Sequence, residues 1–130
     1  VNQPPEPLSP RRTLVVDGAN VVGAVPDGWW RDRAGAARRL RDSLVPYGDA
    51  GLPGWPAPLE VVLVVEGAAR GIGDVPGVRV LAAEGSGDDR IVRAVAEAPG
   101  PTLVVTADRE LRRRVEALGA ECAGPRTVRP

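Results

Sequence analysis

Histidine, lysine, methionine and phenylalanine are all absent from this chain of 130 residues, and only one cysteine is present. Without histidine, imidazole acid–base catalysis and a serine–histidine triad are excluded. Cys122 by itself makes neither an intramolecular disulfide nor a structural zinc site. One cysteine and no secretory leader read as a cytoplasmic chain. The missing initiator methionine reads as processing or trimming. No apolar run approaches the length that crosses a bilayer, so no membrane partner is expected. All 17 basic residues are arginine, which removes any mechanism that needs a lysine.

What the chain does have is acids placed just after apolar, β-branched runs. Thr13-Leu14-Val15-Val16 ends at Asp17, and Val61-Val62-Leu63-Val64-Val65 ends at Glu66. Val78-Arg79-Val80-Leu81-Ala82 precedes Asp88-Asp89, and Leu103-Val104-Val105-Thr106 precedes Asp108. As parallel strands, these runs would bring their carboxyl ends to one sheet edge, where open α/β sheets place their sites. Crowded carboxylates repel and raise one another's pKa unless a cation holds them. A cluster of oxygen ligands suits Mg²⁺ or Mn²⁺. The pattern predicts a metal-dependent phosphodiesterase site.

The net charge of zero conceals a separation of charge. Gathering Asp17, Glu66, Asp88, Asp89 and Asp108 at one site leaves the rest of the chain with an excess of five positive charges. Arginines crowd two segments, Arg31 to Arg41 and Arg112 to Arg114. An acidic pit with basic flanks suits a polyanionic substrate, and a solvated helix surface explains the same clusters equally well.

The first ten residues hold four prolines, and residues 1–11 read as a flexible lead-in to a domain over 12–124, with a tail over 125–130. Strands are predicted over 12–17, 59–66, 78–83 and 102–106, with a short last one over 120–123. A helix over 30–45 would bury Ala37, Leu40 and Leu44; Pro46 to Pro58 reads as a loop. Asp88 or Asp89 would cap a helix whose Ile91, Val92 and Val95 face the sheet. A helix over 109–118 would bury Leu111, Val115 and Leu118 before Gly119 stops it. Strands this apolar are covered on both faces, so the fold class is α/β: a three-layer sandwich around a mainly parallel sheet.

Two phosphate motifs fail. Gly18 to Gly23 has P-loop glycine spacing but lacks the lysine and its hydroxyl neighbour, and no G-x-G-x-x-G follows the first strand. What remains is Asp17-Gly18-Ala19-Asn20. Here Gly18 would take a turn that a β-carbon opposes, and Asn20 would aim its amide at the pit. An Asx turn that merely caps the next segment is the alternative.

TLVVDGANVVG, LVVEGAAR, GSGDDRIV and LVVTADRELRRRVEALGAE, in that order, resemble the YacP-like NYN domains of the PIN-like ribonuclease superfamily. The resemblance spans about residues 12–124. It implies a sheet of order 3-2-1-4-5, Mg²⁺ or Mn²⁺, and endonucleolytic cleavage of RNA. By position it assigns Asp17 and Asn20 to the opening motif, Asp88 to the third and Asp108 to the acid after T-x. Two departures stand out. Glu66 replaces the usual Asp, and Val92 stands where many relatives have Glu.

The implied chemistry is in-line attack of water on a phosphodiester. Asp17, Asp88 and Asp108 would be ligands, Glu66 a further ligand or an orienter of water, and Asn20 a positioner. Trp30, of the Trp29-Trp30 pair, would stack on a base, while Arg31, Arg33, Arg70 and Arg109 would meet phosphates. RNA, free or on the ribosome, is the expected partner; the oligomeric state is not indicated. Two rival readings stay open: an RNA- or ribosome-binding module that does not cleave, and a nucleotide phosphohydrolase.

Overall fold

Alternation along three strands divides the core. Leu14 and Val16, Leu63 and Val65, and Leu103 and Val105 join one buried cluster, whereas Val15, Val62, Val64 and Val104 join a second. Successive strand side chains point to opposite faces, so both faces of this sheet are covered. The computed structural model describes residues 11–129, and the lead-in expected over 1–11 lies outside them except for Arg11. Strands β1 (Arg12–Asp17), β2 (Leu59–Val65), β3 (Arg79–Ala82), β4 (Thr102–Val105) and β5 (Glu121–Ala123) form one sheet of order β3-β2-β1-β4-β5. Every pairing is parallel.

Helices α1 (Gly18–Gly23) and α2 (Arg33–Leu44) supply Val21, Val22, Ala37, Leu40 and Leu44 to the first cluster. A short α3 (Tyr47–Ala50) follows. Helices α4 (Gly87–Glu97) and α5 (Arg109–Glu116) cover the other face with Ile91, Val95, Leu111 and Val115. No helix among the described residues is long and apolar enough to cross a membrane.

Several local expectations are corrected. A helix, α1, follows β1 directly where a turn was expected, and Gly18 is its first residue. The reason for glycine there is space, because a β-carbon would lie 2.6 Å from the Val64 carbonyl oxygen. Gly18→Ala is expected to cost about 1–3 kcal/mol in thermal or urea unfolding, the range for overpacking a tight core. The helix expected over 30–45 is divided: Trp29–Arg31 form a 3-10 turn, and Asp32 caps α2 by accepting from Gly35 N at 2.9 Å. The Pro46–Pro58 segment contains α3 as well as loop.

Ser86, rather than Asp88 or Asp89, caps α4, its Oγ accepting from Asp88 N at 3.1 Å. Leu118 is 50% exposed instead of buried. Helix α5 has already ended, with Gly119 at φ +90 and Ala120 N donating back to Val115 O, and the reversal leaves Leu118 outside. Where a tail was expected, Pro125–Thr127 form a 3-10 turn and Val128 is buried in the first cluster. Arg129 then donates to the Val21 and Val22 carbonyls and to Asp27.

Candidate functional site

The chain leaves β1 for β2 on one side and returns to β4 on the other, so the topological switch point lies between β1 and β4. Open α/β sheets place ligands beyond the strand ends at such a point. Asp17 ends β1 there, only 6% exposed. Thr106, fully buried just past β4, donates from Oγ1 to Asp17 Oδ2 at 2.9 Å. The same hydroxyl accepts from Asp108 N at 3.1 Å. Asp17 Oδ1 accepts a longer bond from Asn20 N, at 3.4 Å. Asn20 Oδ1 accepts from Ala107 N at 2.8 Å. The segments following β1 and β4 are therefore tied together by side chains of both.

Thr106 is the residue that sequence reasoning missed. Its position in T-x-D was visible, but its function depends on the strand pairing that brings it beside Asp17. Thr106→Val strips a donor from a buried carboxylate and an acceptor from Asp108 N. The expected cost is about 1–3 kcal/mol, with most of it recovered by Thr106→Ser. Denaturant midpoints of the two variants give the test, and equal midpoints would count against this linkage.

The remaining acids arrive from the other half of the sheet. Glu66, after β2, accepts from Gly87 N at the start of α4 through Oε2. Its extra methylene lets it reach that helix end, and Gly87 leaves room, since a β-carbon would stand 2.9 Å from Glu66 Oε2. Asp88 lies in the first turn of α4, half-buried. Asp108 caps α5, accepting from Leu111 N at 2.9 Å. Asp89 pairs with Arg114 at 2.9 Å and does not cap α4.

Burial, opposed by the bonds from Thr106 and Asn20 and reinforced by the charges of Asp88 and Glu66, raises the pKa of Asp17. Burial, then Asp108 and Glu66, raise that of Asp88 against the pull of Arg114. Asp17 thus feels the charges of Asp88 and Glu66, and Asp88 those of Asp108 and Glu66.

The donor chemistry of these acids, all hard oxygens, fits Mg²⁺ or Mn²⁺. Their arrangement is more open than expected: among the described residues no three acids close on one point as a ligand set. Asp17 and Asp108 are drawn to Thr106, Asn20 and Leu111, and Glu66 to Gly87. Glu66 Oε1, Asp108 Oδ2 and both Asp88 side-chain oxygens have no hydrogen bond among the described residues.

Beside the acids runs a cleft of about 570 Å³ with Glu66 and Asp88 at its wall. Trp29 and Arg33 line it, and the Arg33 guanidinium lies 5.4 Å from the centre of the Trp29 ring. Trp30, expected to stack, is 49% exposed and lies outside the cleft lining, paired with Arg31 at 6.0 Å. Arg70 is exposed and also outside that lining. Arg109 is exposed on α5, in a shallow depression shared with Arg112, Arg113 and Glu116. Cys122 is half-buried against the second cluster, and burial raises its thiol pKa.

Two solved structures of Rae1 (YacP) from Bacillus subtilis, one of them a point mutant, are similar to this chain. Their TM-scores are 0.66 and 0.65 at 20% identity, over 89% of this chain and 70% of theirs. No family model matches the sequence, and no curated protein matches it. The chain shares the fold of these YacP structures, and its strand order β3-β2-β1-β4-β5 is the one that the resemblance of its motifs implied.

Proposed function

We propose that the chain is a metal-dependent endoribonuclease that hydrolyses RNA phosphodiester bonds at the switch-point edge. The observation that carries this reading is the arrival of Asp17, Glu66, Asp88 and Asp108 at one edge of the parallel sheet, past β1, β2, β3 and β4, where Asp17 and Asp88 meet the repulsion of neighbouring acids. A stable fold tolerates such repulsion where the site serves a cation. The resemblance to YacP-like NYN domains adds RNA as the substrate.

Asp17, Asp88 and Asp108 would hold Mg²⁺ or Mn²⁺, with Glu66 at the margin. The bound cation supplies positive charge to a phosphodiester and a lower pKa to water, which a chain without histidine needs. Thr106 keeps Asp17 oriented, and its bond to Asp108 N sets the start of α5. Asn20 spends its carbonyl on Ala107, which leaves its amide to donate to a phosphate oxygen. Arg33, and Arg31 and Arg109 farther out, would draw the polyanion toward an edge that repels it.

Single-stranded RNA incubated with the purified chain tests this. Internal cuts should appear with Mn²⁺ or Mg²⁺, vanish in EDTA and return when the ion is restored in excess. Undiminished cutting in EDTA would overturn the proposal. One observation favours a second reading, an RNA-binding module that does not cleave: Glu66 is already engaged by Gly87. Tight RNA binding with no cuts at any Mn²⁺ concentration would select it.

A further inference from the structure

We propose that the cleft beside the acids is a pocket for one unpaired nucleobase, with Trp29 rather than Trp30 as the stacking ring. The inference rests on the reading of the chain as an RNA-cleaving enzyme and specifies the substrate: a single-stranded segment whose base enters the cleft.

Trp29 is half-buried, packed against the core at one side and open to the cleft at the other. Trp30 meets it in a T-shaped contact, at an interplanar angle of 85° with centroids 5.8 Å apart, which holds its plane. Arg33 lies against the ring and Val22 lines the cleft nearby. An unstacked base seats on an aromatic ring, and the exposed Arg33 guanidinium, 5.4 Å from the Trp29 ring centre, would swing outward to cover the base's other face. The volume of about 570 Å³ suits a ligand of nucleotide size.

The polar end selects among flat ligands. Glu66 and Asp88 are acceptors only, so they repel an anion and favour a ring edge that carries N–H donors. Adenine, cytosine and guanine each present an exocyclic amino group, whereas the single N3–H of uracil is flanked by two carbonyl oxygens that a carboxylate repels. A paired base has that edge occupied and its partner strand in the way, so duplex RNA is excluded. Because Glu66 and Asp88 border both the cleft and the acidic edge, a base seated there delivers its own phosphate to that edge.

Fluorescence anisotropy of short labelled oligoribonucleotides, in EDTA to prevent turnover, tests the pocket. Single-stranded oligo(A) and oligo(C) should bind more tightly than oligo(U), and a duplex should bind most weakly. Trp29→Leu should weaken oligo(C) binding by about ten-fold, the worth of one stacked base. Trp29→Phe should retain most of the affinity, and the loss in Trp29→Leu should exceed that in Trp30→Leu. Ala19→Phe, on the exposed rim, fills the cleft without altering the core and should produce the same loss if Trp29→Leu fails to fold. Equal affinity of Trp29→Leu and wild type, or of oligo(U) and oligo(C), would overturn the pocket, as would no binding at all. RNA cleavage that ignores Trp29→Leu at subsaturating substrate overturns the pocket but leaves the nuclease reading intact. Selective, Trp29-dependent binding with no cleavage in Mn²⁺ supports the pocket and overturns the nuclease reading.

Discussion

Asp17→Asn is expected to lower RNA cleavage by at least about a hundred-fold, since even the outer partners of a metal site are worth 10–100-fold. RNA binding should stay unchanged or tighten slightly, because the substitution removes a negative charge from the path of a polyanion. Asp108→Asn should behave alike. It keeps an oxygen able to accept from Leu111 N, so α5 retains its cap. The split between lost turnover and retained affinity is the decisive readout, obtained by single-turnover kinetics beside equilibrium binding. A parallel fall in both would point to damaged folding or to binding residues. Full cleavage by either variant would remove these acids from the reaction.

The same substitution should stabilise the metal-free protein. The pKa of Asp17 is raised above the ordinary Asp value of 3.8, chiefly by burial, so the folded state binds its proton more tightly than the unfolded chain. Stability therefore falls as pH climbs from that value through the raised one, and the full penalty is present above both. Asp88, raised for the same leading reason, adds in the same direction. Asp27 has the opposite sign, held down by Arg129, but it is exposed and screened. At neutral pH the metal-free melting temperature of Asp17→Asn should exceed that of wild type, with relief of the buried charge outweighing the one acceptor that an amide withdraws from Thr106 or Asn20 N. The gap should close in acid. Millimolar Mn²⁺ should raise the wild-type melting temperature and move the variant little, because ligands that bind only the native state stabilise it. A wild-type transition that ignores Mn²⁺ would leave the acids without a cation to serve.

Much of this was legible without coordinates. Apolar β-branched runs ending in Asp17, Glu66 and Asp108 are short-range information, readable because strand burial on both faces demands near-continuous hydrophobicity. The absence of histidine directed attention to carboxylates, and D-G-x-N together with T-x-D-R-E-L indicated the fold. Boundaries were less legible. The start of α2 at its Asp32 cap and that of α4 at its Ser86 cap are each settled by one side chain reaching one backbone group, which periodicity does not encode.

What tertiary structure alone decided is which partner each acid has. Position in the sequence placed four acids at one edge. Distance in space gave Asp17 to Thr106, 89 residues away, Glu66 to Gly87 and Asp89 to Arg114. It also turned Trp29 into the cleft and left Trp30 outside it. The sequence determined the sheet, the edge and the donor chemistry, because hydrophobic patterning and residue type are properties of the chain itself. Hydrogen-bond partners and cleft walls depend on contacts between residues far apart in the chain, and those exist only once the strands have paired.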